Sequence, residues 1–129
     1  MTWHEDGLVN PGVPDVSYVM NADKSETGWL ELKAIEGADK NGNYKFTLEP
    51  SQHRWIKDHY PRVPVHILCA TDNVCWLVPG EHHGILLQSR SLDQLNLFGV
   101  GFQREALRRV LHYQLTLATG RRRDGLFGV

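Results

Sequence analysis

Cysteine is scarce in this sequence, because Cys69 and Cys75 are the only two among 129 residues. Two cysteines are too few for the disulfide scaffold of a small secreted protein, and their spacing matches no standard zinc pattern even with the nearby histidines. Cys69 and Cys75 each lie three residues from Asp72. A hairpin that turns at residues 71–73 would therefore place the two thiols opposite each other. A disulfide would fit that arrangement, but in a cytoplasmic setting we expect two reduced, half-buried thiols.

Long apolar runs are absent as well. No stretch approaches the roughly 20 apolar residues of a membrane span, and residues 1–7 are too polar for a signal peptide. We therefore expect no membrane partner and a cytoplasmic location. A chain of 129 residues can bury one ordinary core. We predict a single domain over residues 1–120 and a basic, flexible tail over residues 121–129.

The sequence also lacks a strong net charge, since its formal value is −1. The charges are nevertheless unevenly distributed: residues 1–36 hold seven acidic and two basic side chains, whereas residues 104–124 hold six arginines and two acids. This distribution suits a protein with an acidic metal site and a separate surface that grips phosphates. A solvated helix and a solubilising tail are the alternative explanation for the arginines.

The stretch with the clearest chemistry is GWLELKAI, residues 28–35, which predicts a strand. Glu31 and Lys33 are two residues apart and therefore project from the same face of that strand. Residues 13–20 predict a second strand, and a hairpin between the two would bring Asp15 near Glu31. Two carboxylates and a lysine on adjacent strands form a site for a hard divalent cation and a water to be activated. The alternative for Glu31 and Lys33 is an ordinary ion pair on an edge strand.

A helix is predicted over residues 50–60, with proline at the first helical position, where its missing N–H costs nothing. Gln52 is the polar exception on the apolar face of this helix. A buried glutamine needs hydrogen-bond partners. The site or a substrate phosphate would provide them, or the side chain would cap local backbone.

Hydrophobic periodicity and turn residues predict the remaining elements. Residues 63–70 form a central strand, parallel to the Glu31 strand, and residues 73–78 form its hairpin partner. Residues 83–88 form a last strand or a loop, and we interpret His82-His83 as a surface pair. The C-terminal third is predicted to contain a short helix over residues 91–97 and the longest helix over residues 102–118, closed by Gly120.

Pro14-Asp15, followed sixteen residues later by Glu31-Leu32-Lys33, resembles the signature of the PD-(D/E)xK nuclease superfamily. Three further details agree with it: Gly12-Val13 precedes the Pro-Asp pair, Glu5 lies ten residues before Asp15, and Ser51-Gln52-His53-Arg54-Trp55 opens a helix soon after the strand. Over residues 1–78 the sequence is most similar to the VRR-NUC and phage-type, Holliday-junction-resolvase-like branch of that superfamily.

The resemblance implies a fold and a set of site residues. The fold would be α/β, a restriction-endonuclease-like core with a central mixed β-sheet of four to five strands flanked by helices. The cofactor would be Mg²⁺, for which Mn²⁺ can substitute. Its ligands would be Asp15, Glu31, the backbone carbonyl of Leu32 and Glu5, and the catalytic residues would be Glu5, Asp15, Glu31, Lys33 and Gln52.

The resemblance also implies an activity, a structure-specific DNA endonuclease that hydrolyses phosphodiester bonds in branched DNA, a Holliday junction or a flap, during recombination, repair or phage DNA processing. Cutting two strands suggests a homodimer, with its interface on the helix over residues 102–118 or on residues 95–102. The arginines expected to bind DNA are Arg54, Arg104, Arg108, Arg109, Arg121, Arg122 and Arg123. The alternatives are a non-catalytic DNA-binding or adaptor protein with a nuclease-like fold and a non-specific nicking nuclease.

Overall fold

A computed structural model describes residues 2–3, 12–19, 27–46, 48–88 and 90–126, with side chains described only between residues 12 and 118. The strands are β1 (Thr2–Trp3), β2 (Val16–Tyr18), β3 (Gly28–Ala34), β4 (Asn43–Tyr44), β5 (Val65–Ala70), β6 (Val74–Pro79), β7 (Arg90–Ser91) and β8 (Val100–Gln103). The α-helices are α1 (Pro50–His59), α2 (Leu92–Phe98) and α3 (Leu107–Leu126), and two 3₁₀ helices span Gly80–Leu87 and Arg104–Ala106.

The main sheet has the strand order β1-β2-β3-β5-β6-β8, and β4 pairs with β7 in a separate two-stranded sheet. Within the main sheet β3 and β5 are parallel, whereas the other neighbouring strands are antiparallel. The predicted α/β class and mixed central sheet are therefore confirmed. The sheet has five strands of three or more residues and the two-residue β1 at one edge.

The parallel β3–β5 pair requires a crossover, and α1 lies in it. Pro50 occupies the first helical turn, as predicted, and the chain leaves the helix at Tyr60, just before Pro61. Ile56 is fully buried beneath the helix. Trp55 packs edge-on against Trp29 at the start of β3, with ring centroids 5.3 Å apart. These apolar contacts dock α1 on the sheet beside the carboxyl-bearing strand.

Each face of the sheet packs its own hydrophobic cluster, because successive residues of a strand point to opposite faces. On one face the helical contributions include Ile56 of α1 and Leu95 of α2. On the other face they are Leu111 and Leu115 of α3. Glu31 alternates with the leucines that face α3 and therefore projects toward α1.

The two cysteines do not face each other, and this part of the sequence-based prediction is wrong. Residues 65–79 form the predicted hairpin, but its register places Cys69 opposite Trp76 and Cys75 opposite Ala70. The two thiols therefore point to opposite faces of the sheet. Both cysteines are free and fully buried, rather than half-buried, and burial raises the pKa of Cys69 to about 12. The two cysteines are not joined in a disulfide.

The C-terminal third departs from the predicted elements in two places. Residues 83–88 lie mainly in a 3₁₀ helix rather than in a strand or loop. Residues 102–118 do not form one helix: the chain first adds β8 to the sheet, and α3 begins at Leu107 and continues past Gly120 to Leu126. None of the helices in the described ranges has the length and apolar character that a membrane crossing requires.

Candidate functional site

Asp15 immediately precedes β2, and the pairing of Val16 with Leu30 places it beside the middle of β3. Its Oδ2 accepts a hydrogen bond from the backbone N–H of Leu32 at 2.9 Å. The predicted approach of Asp15 to the strand that carries Glu31 is therefore confirmed.

Proline at position 14 leaves the backbone carbonyl of Leu32 without the N–H donor that a neighbouring strand would usually supply. When the β2–β3 register is continued by two residues, Pro14 lies opposite Leu32, and proline has no N–H to donate to the Leu32 carbonyl. Since the N–H and carbonyl of one strand residue point to the same side, this carbonyl is directed to the side on which Asp15 lies. The role of the Leu32 carbonyl as a metal ligand stays a prediction, which this arrangement favours.

Glu31 is the buried member of the site, with 1% of its surface exposed. Its Oε1 accepts a hydrogen bond from Gln52 Nε2 at 2.8 Å, while its Oε2 has no hydrogen-bond partner among the residues that the structure describes. Burial, and next the neighbouring Asp15 carboxylate, raises the pKa of Glu31 to about 8, although Lys33 opposes the shift. Without a cation, the Glu31 carboxyl therefore retains a proton at neutral pH.

Lys33 lies on the same face as Glu31, as predicted. Its Nζ donates a hydrogen bond to Oε1 of Gln52 at 2.6 Å and lies 3.9 Å from Oε1 of Glu31. The Lys33 side chain is 16% exposed, so the ammonium group is sheltered but still accessible to a ligand. The edge position in the alternative explanation is wrong, because β3 lies between β2 and β5 in the sheet, although Lys33 and Glu31 do lie within ion-pair distance of each other.

Gln52 connects α1 to the site. Its Oε1 also accepts a hydrogen bond from the backbone N–H of Glu49 at 3.0 Å, and the Glu49 side chain accepts one from the Gln52 backbone in return. This reciprocal pair is a capping box, and the sequence pattern Glu-x-x-Gln at positions 49–52 is the signal that could have located it. Local capping and contact with the site, which the sequence leaves as alternatives, therefore both occur.

Gly12 lets the segment before β2 approach the start of α1. Its φ is +88°, and a Cβ at this position would lie 2.3 Å from the carbonyl oxygen of Ser51 and 3.2 Å from the backbone nitrogen of Gln52. Glycine tolerates both the positive φ and the close contact. Gly12 thus sets the spacing between the Asp15 segment and α1, a role that the sequence does not reveal.

The donor set fits a hard divalent cation. Mg²⁺ usually binds proteins through one or two carboxylates and keeps several waters, and Asp15 and Glu31 supply two carboxylates beside the Leu32 carbonyl. A buried acceptor such as Glu31 Oε2 is costly unless a cation or a donor satisfies it. No group of three or more His, Cys, Asp or Glu side chains suited to a metal occurs in the described part of the chain. A Mg²⁺ ion here would therefore complete its shell with water or phosphate oxygens.

The other predicted site residues do not lie around Asp15 and Glu31. Glu5 lies outside the described residues. Arg54 is exposed on α1. Arg104 donates from Nη1 to the carbonyl of Thr71, after β5 and at the end of the sheet where β3 also finishes. The remaining arginines belong to α3, on the other face of the sheet: Arg108 and Arg109 are exposed, and the side chains of Arg121, Arg122 and Arg123 are not described.

Sequence reasoning missed a contact between His53 on α1 and His83 on the 3₁₀ helix Gly80–Leu87. The two Nδ1 atoms lie 2.7 Å apart, although the residues are 30 positions apart in sequence. His83 is therefore not half of a surface pair with His82. No sequence signal predicts this contact, since it depends on how the 3₁₀ helix packs against α1.

No protein-family model, no curated protein and no solved structure matches this chain. The superfamily resemblance therefore rests on the motif residues themselves, and the arrangement around Asp15, Glu31, Lys33 and Gln52 has to be interpreted from its own chemistry.

Proposed function

We propose that this chain is a metal-dependent DNA endonuclease with a restriction-endonuclease-like core. The observation that carries the proposal is the buried Glu31 carboxyl, which lies beside Asp15 with its Oε2 unpartnered among the described residues and with Lys33 Nζ 3.9 Å from its Oε1. A buried carboxyl is costly to ionise beside a second carboxylate, and a divalent cation is the ligand that offsets this cost.

The roles of the residues follow from their positions. When bound, Mg²⁺ supplies a Lewis acid for the phosphate and lowers the pKa of a water. Asp15 and Glu31 would hold the ion, with the Leu32 carbonyl as a further oxygen. Lys33 would orient the attacking water and offset the charge that develops on the phosphate. Gln52 would hold the Lys33 ammonium in place.

Hydrolysis would proceed by in-line attack of water on phosphorus. The bond from phosphorus to the 3′ oxygen breaks, and the products carry a 3′-hydroxyl and a 5′-phosphate. The proton lost by the water passes to solvent, and the leaving 3′ oxygen takes up a proton from solvent. Glu31 Oε1 accepts from the Gln52 amide, and Asp15 Oδ2 accepts from the Leu32 N–H.

The preferred substrate is expected to be branched DNA, cut by a homodimer. A symmetric dimer places two sites on two strands of a junction. Leu97 in α2 is 76% exposed, and Val100, the first residue of β8 at the end of the described sheet order, is 38% exposed. These residues fall within residues 95–102, one of the two predicted interfaces. Light scattering tests this part by itself, since a strictly monomeric particle would exclude the resolvase version and leave a nicking nuclease.

The activity is tested by incubating the full chain with labelled four-way junction, flap, single-stranded and duplex DNA in Mg²⁺ or Mn²⁺. We expect cleavage that EDTA abolishes. Asp15→Asn should bind DNA as the wild type does and cut at least about 100-fold more slowly, since it removes the metal-site charge on which catalysis depends.

Lys33→Met is the second variant, because it keeps the length of the side chain and removes the charge. It should also lose cleavage while retaining the wild-type circular dichroism spectrum. An Asp15→Asn protein that cuts at the wild-type rate would refute the assignment. A wild-type protein that binds every DNA but cuts none, in either metal, would favour the non-catalytic adaptor.

A further inference from the structure

His53 and His83 meet through the same atom of each ring. The two Nδ1 atoms are 2.7 Å apart, the ring centroids are 4.3 Å apart, and the ring planes are inclined at 56°. One residue lies in α1 and the other in the 3₁₀ helix Gly80–Leu87. Both side chains are partly buried and still reach solvent. Two ring nitrogen atoms from separate elements therefore face each other at hydrogen-bond distance.

Only one proton fits between these two nitrogens. When both rings are neutral, one Nδ1 donates an N–H···N hydrogen bond and the other accepts it. Burial lowers the pKa of His83, and the neighbouring His53 and Lys57 lower it further. The neutral imidazole is therefore favoured at this position. Neutral imidazole is also the form of histidine that binds metal ions.

We propose that His53 and His83 form a two-histidine site for a divalent transition-metal ion of the Zn²⁺, Ni²⁺ or Cu²⁺ class. Imidazole nitrogen suits these ions, whereas Mg²⁺ prefers oxygen. The site is thus distinct in chemistry from the carboxylates of Asp15 and Glu31, and it does not depend on the proposed nuclease activity. It joins α1, the helix that carries Gln52, to the 3₁₀ helix.

The geometry needs only a small adjustment. Zinc binds histidine nitrogen at about 2.0–2.1 Å, and two such ligands in a tetrahedral shell lie about 3.3 Å apart. The Nδ1 atoms would have to separate by about 0.6 Å, which side-chain torsions can supply. Each ring then carries its single proton on Nε2, so the ring that donates from Nδ1 changes tautomer and no proton is lost overall. Since no third side-chain ligand occurs within the described ranges, water would complete the shell.

A change at Lys57 should strengthen metal binding, whereas changes at the two histidines should weaken it. Its charge disfavours a proton on His83 and disfavours a metal cation for the same reason. Removing that charge in Lys57→Gln should tighten metal binding by about two- to fivefold at low ionic strength. A purely structural role for the two rings would not produce such a gain.

The experiment is calorimetric titration of the full chain with ZnCl₂, in millimolar Mg²⁺ to occupy oxygen sites. We expect one Zn²⁺ per chain with a dissociation constant on the order of micromolar. His53→Gln and His83→Gln should each weaken binding at least about tenfold. His82→Gln changes the adjacent imidazole and should bind Zn²⁺ as the wild type does, as should Asp15→Asn.

Zinc affinity that survives in both His53→Gln and His83→Gln would overturn the proposal, and so would affinity lost only in Asp15→Asn. A measurement on the wild type covers the case in which a variant does not fold. Long-range ¹H–¹⁵N spectra should show Zn²⁺ shifting the Nδ1 resonances of two imidazoles together, with both rings protonated on Nε2. Unchanged histidine resonances at saturating Zn²⁺ would contradict the site.

Discussion

The Nζ atom of Lys33 lies 3.9 Å from Oε1 of Glu31, and the side-chain amide of Gln52 bridges the two. The amide can take only one orientation, because its oxygen accepts two N–H donors and its nitrogen donates to a carboxylate. A reversed amide would place N–H groups against the ammonium and an oxygen against the carboxylate. Gln52 thereby holds the Lys33 ammonium and the Glu31 carboxyl near each other without a direct hydrogen bond between them.

Gln52→Ala should lower turnover more than it lowers stability. The substitution removes one half of the capping box, which costs about 1 kcal/mol in the free energy of unfolding. It also frees Lys33 to contact Glu31 directly and so to compete with a metal ion. We expect DNA cleavage to fall by at least about tenfold, with the loss mainly in kcat, because a positioning contact is lost.

Glu49→Ala is the matched control for Gln52→Ala. It removes the other half of the capping box and touches neither Glu31 nor Lys33 in the described contacts. Urea denaturation should give a similar loss of stability for the two variants, while only Gln52→Ala slows cleavage. Equal loss of cleavage in both would mean that Gln52 acts only through helix capping.

Gly12→Ala should be far more damaging than Gly42→Ala, although both glycines have a positive φ, +88° and +81° respectively. A Cβ at Gly42 would meet nothing within 4 Å, whereas one at Gly12 would lie 2.3 Å from the carbonyl oxygen of Ser51. The backbone penalty of about 1 kcal/mol is shared by the two variants. Only Gly12→Ala also pushes the Asp15 segment away from α1.

The readout for the two glycine variants is the stabilisation by Mg²⁺, measured as the rise in melting temperature on adding the ion. Gly42→Ala should keep the wild-type rise, and Gly12→Ala should lose most of it. If Gly12→Ala and Gly42→Ala are destabilised equally and respond equally to Mg²⁺, the loop before β2 does not set the geometry of the site.

Glu31→Gln should stabilise the metal-free protein at neutral pH. The folded-state pKa of Glu31 is raised from 4.5 to about 8, so the folded chain holds a proton that the unfolded chain releases. Stability from this group is fully present below about pH 4.5 and is lost as the pH rises toward about 8. In EDTA, wild-type stability should fall across that window by several kcal/mol more than that of Glu31→Gln.

Millimolar Mg²⁺ should make the wild type more stable than Glu31→Gln, the reverse of their order in EDTA. The ion stabilises the ionised wild-type carboxylate and has less to bind in Glu31→Gln. Melting curves across pH, with EDTA and with Mg²⁺, check both halves of the expectation. A wild-type curve that is indifferent to Mg²⁺ at about pH 8 would mean that the Glu31 carboxyl is a structural group only.

The sequence predicts the core of the fold because its signals there are local. Alternation in residues 28–35 places Glu31 and Lys33 on one face, and Pro50 marks the start of α1. The C-terminal third is harder to predict because Phe102 fits an apolar helix stripe equally well, yet its segment pairs with β6. That pairing gives the backbone groups along the edge of β6 their hydrogen-bond partners. It joins residues that are distant in sequence, so no local sequence pattern predicts it.

The site is predicted in composition but not in detail. Acidic and basic residue types at the right spacing point to Asp15, Glu31 and Lys33. The contact of Gly12 with Ser51 and the pairing of His53 with His83 depend on how separate elements pack. The cysteine error has the same origin, since symmetric spacing about Asp72 does not fix a register, and a shift of one residue sends the two thiols to opposite faces.

His66 should make the protein sensitive to mild acid. It is 8% exposed on β5, and its Nδ1 has no hydrogen-bond partner within the described residues. It lines a cavity of about 250 Å³ together with Gln114 and Leu117 of α3. Burial lowers the pKa of His66 from 6.5 to about 4. Between about pH 6.5 and about pH 4, His66 is therefore neutral in the folded chain and protonated in the unfolded chain.

The sign of this effect follows from linkage. Stability from neutral His66 is fully present above about pH 6.5 and is lost as the pH falls toward about 4, by roughly 1.4 kcal/mol per pH unit within that window. Between about pH 7.5 and about pH 5, His66 should cost the wild type about 2 kcal/mol. His66→Gln keeps a polar side chain of similar size that does not titrate, so its stability should lack this loss.

Urea denaturation of wild type and His66→Gln at the two pH values isolates the histidine, because Glu31 and His83 titrate in both proteins and cancel in the comparison. Glu31 acts in the opposite direction across this range, so the wild-type curve alone would be ambiguous. The difference between the two proteins should shrink or reverse in favour of His66→Gln as the pH falls. Parallel curves would show that the imidazole of His66 reaches solvent and titrates normally in the folded chain.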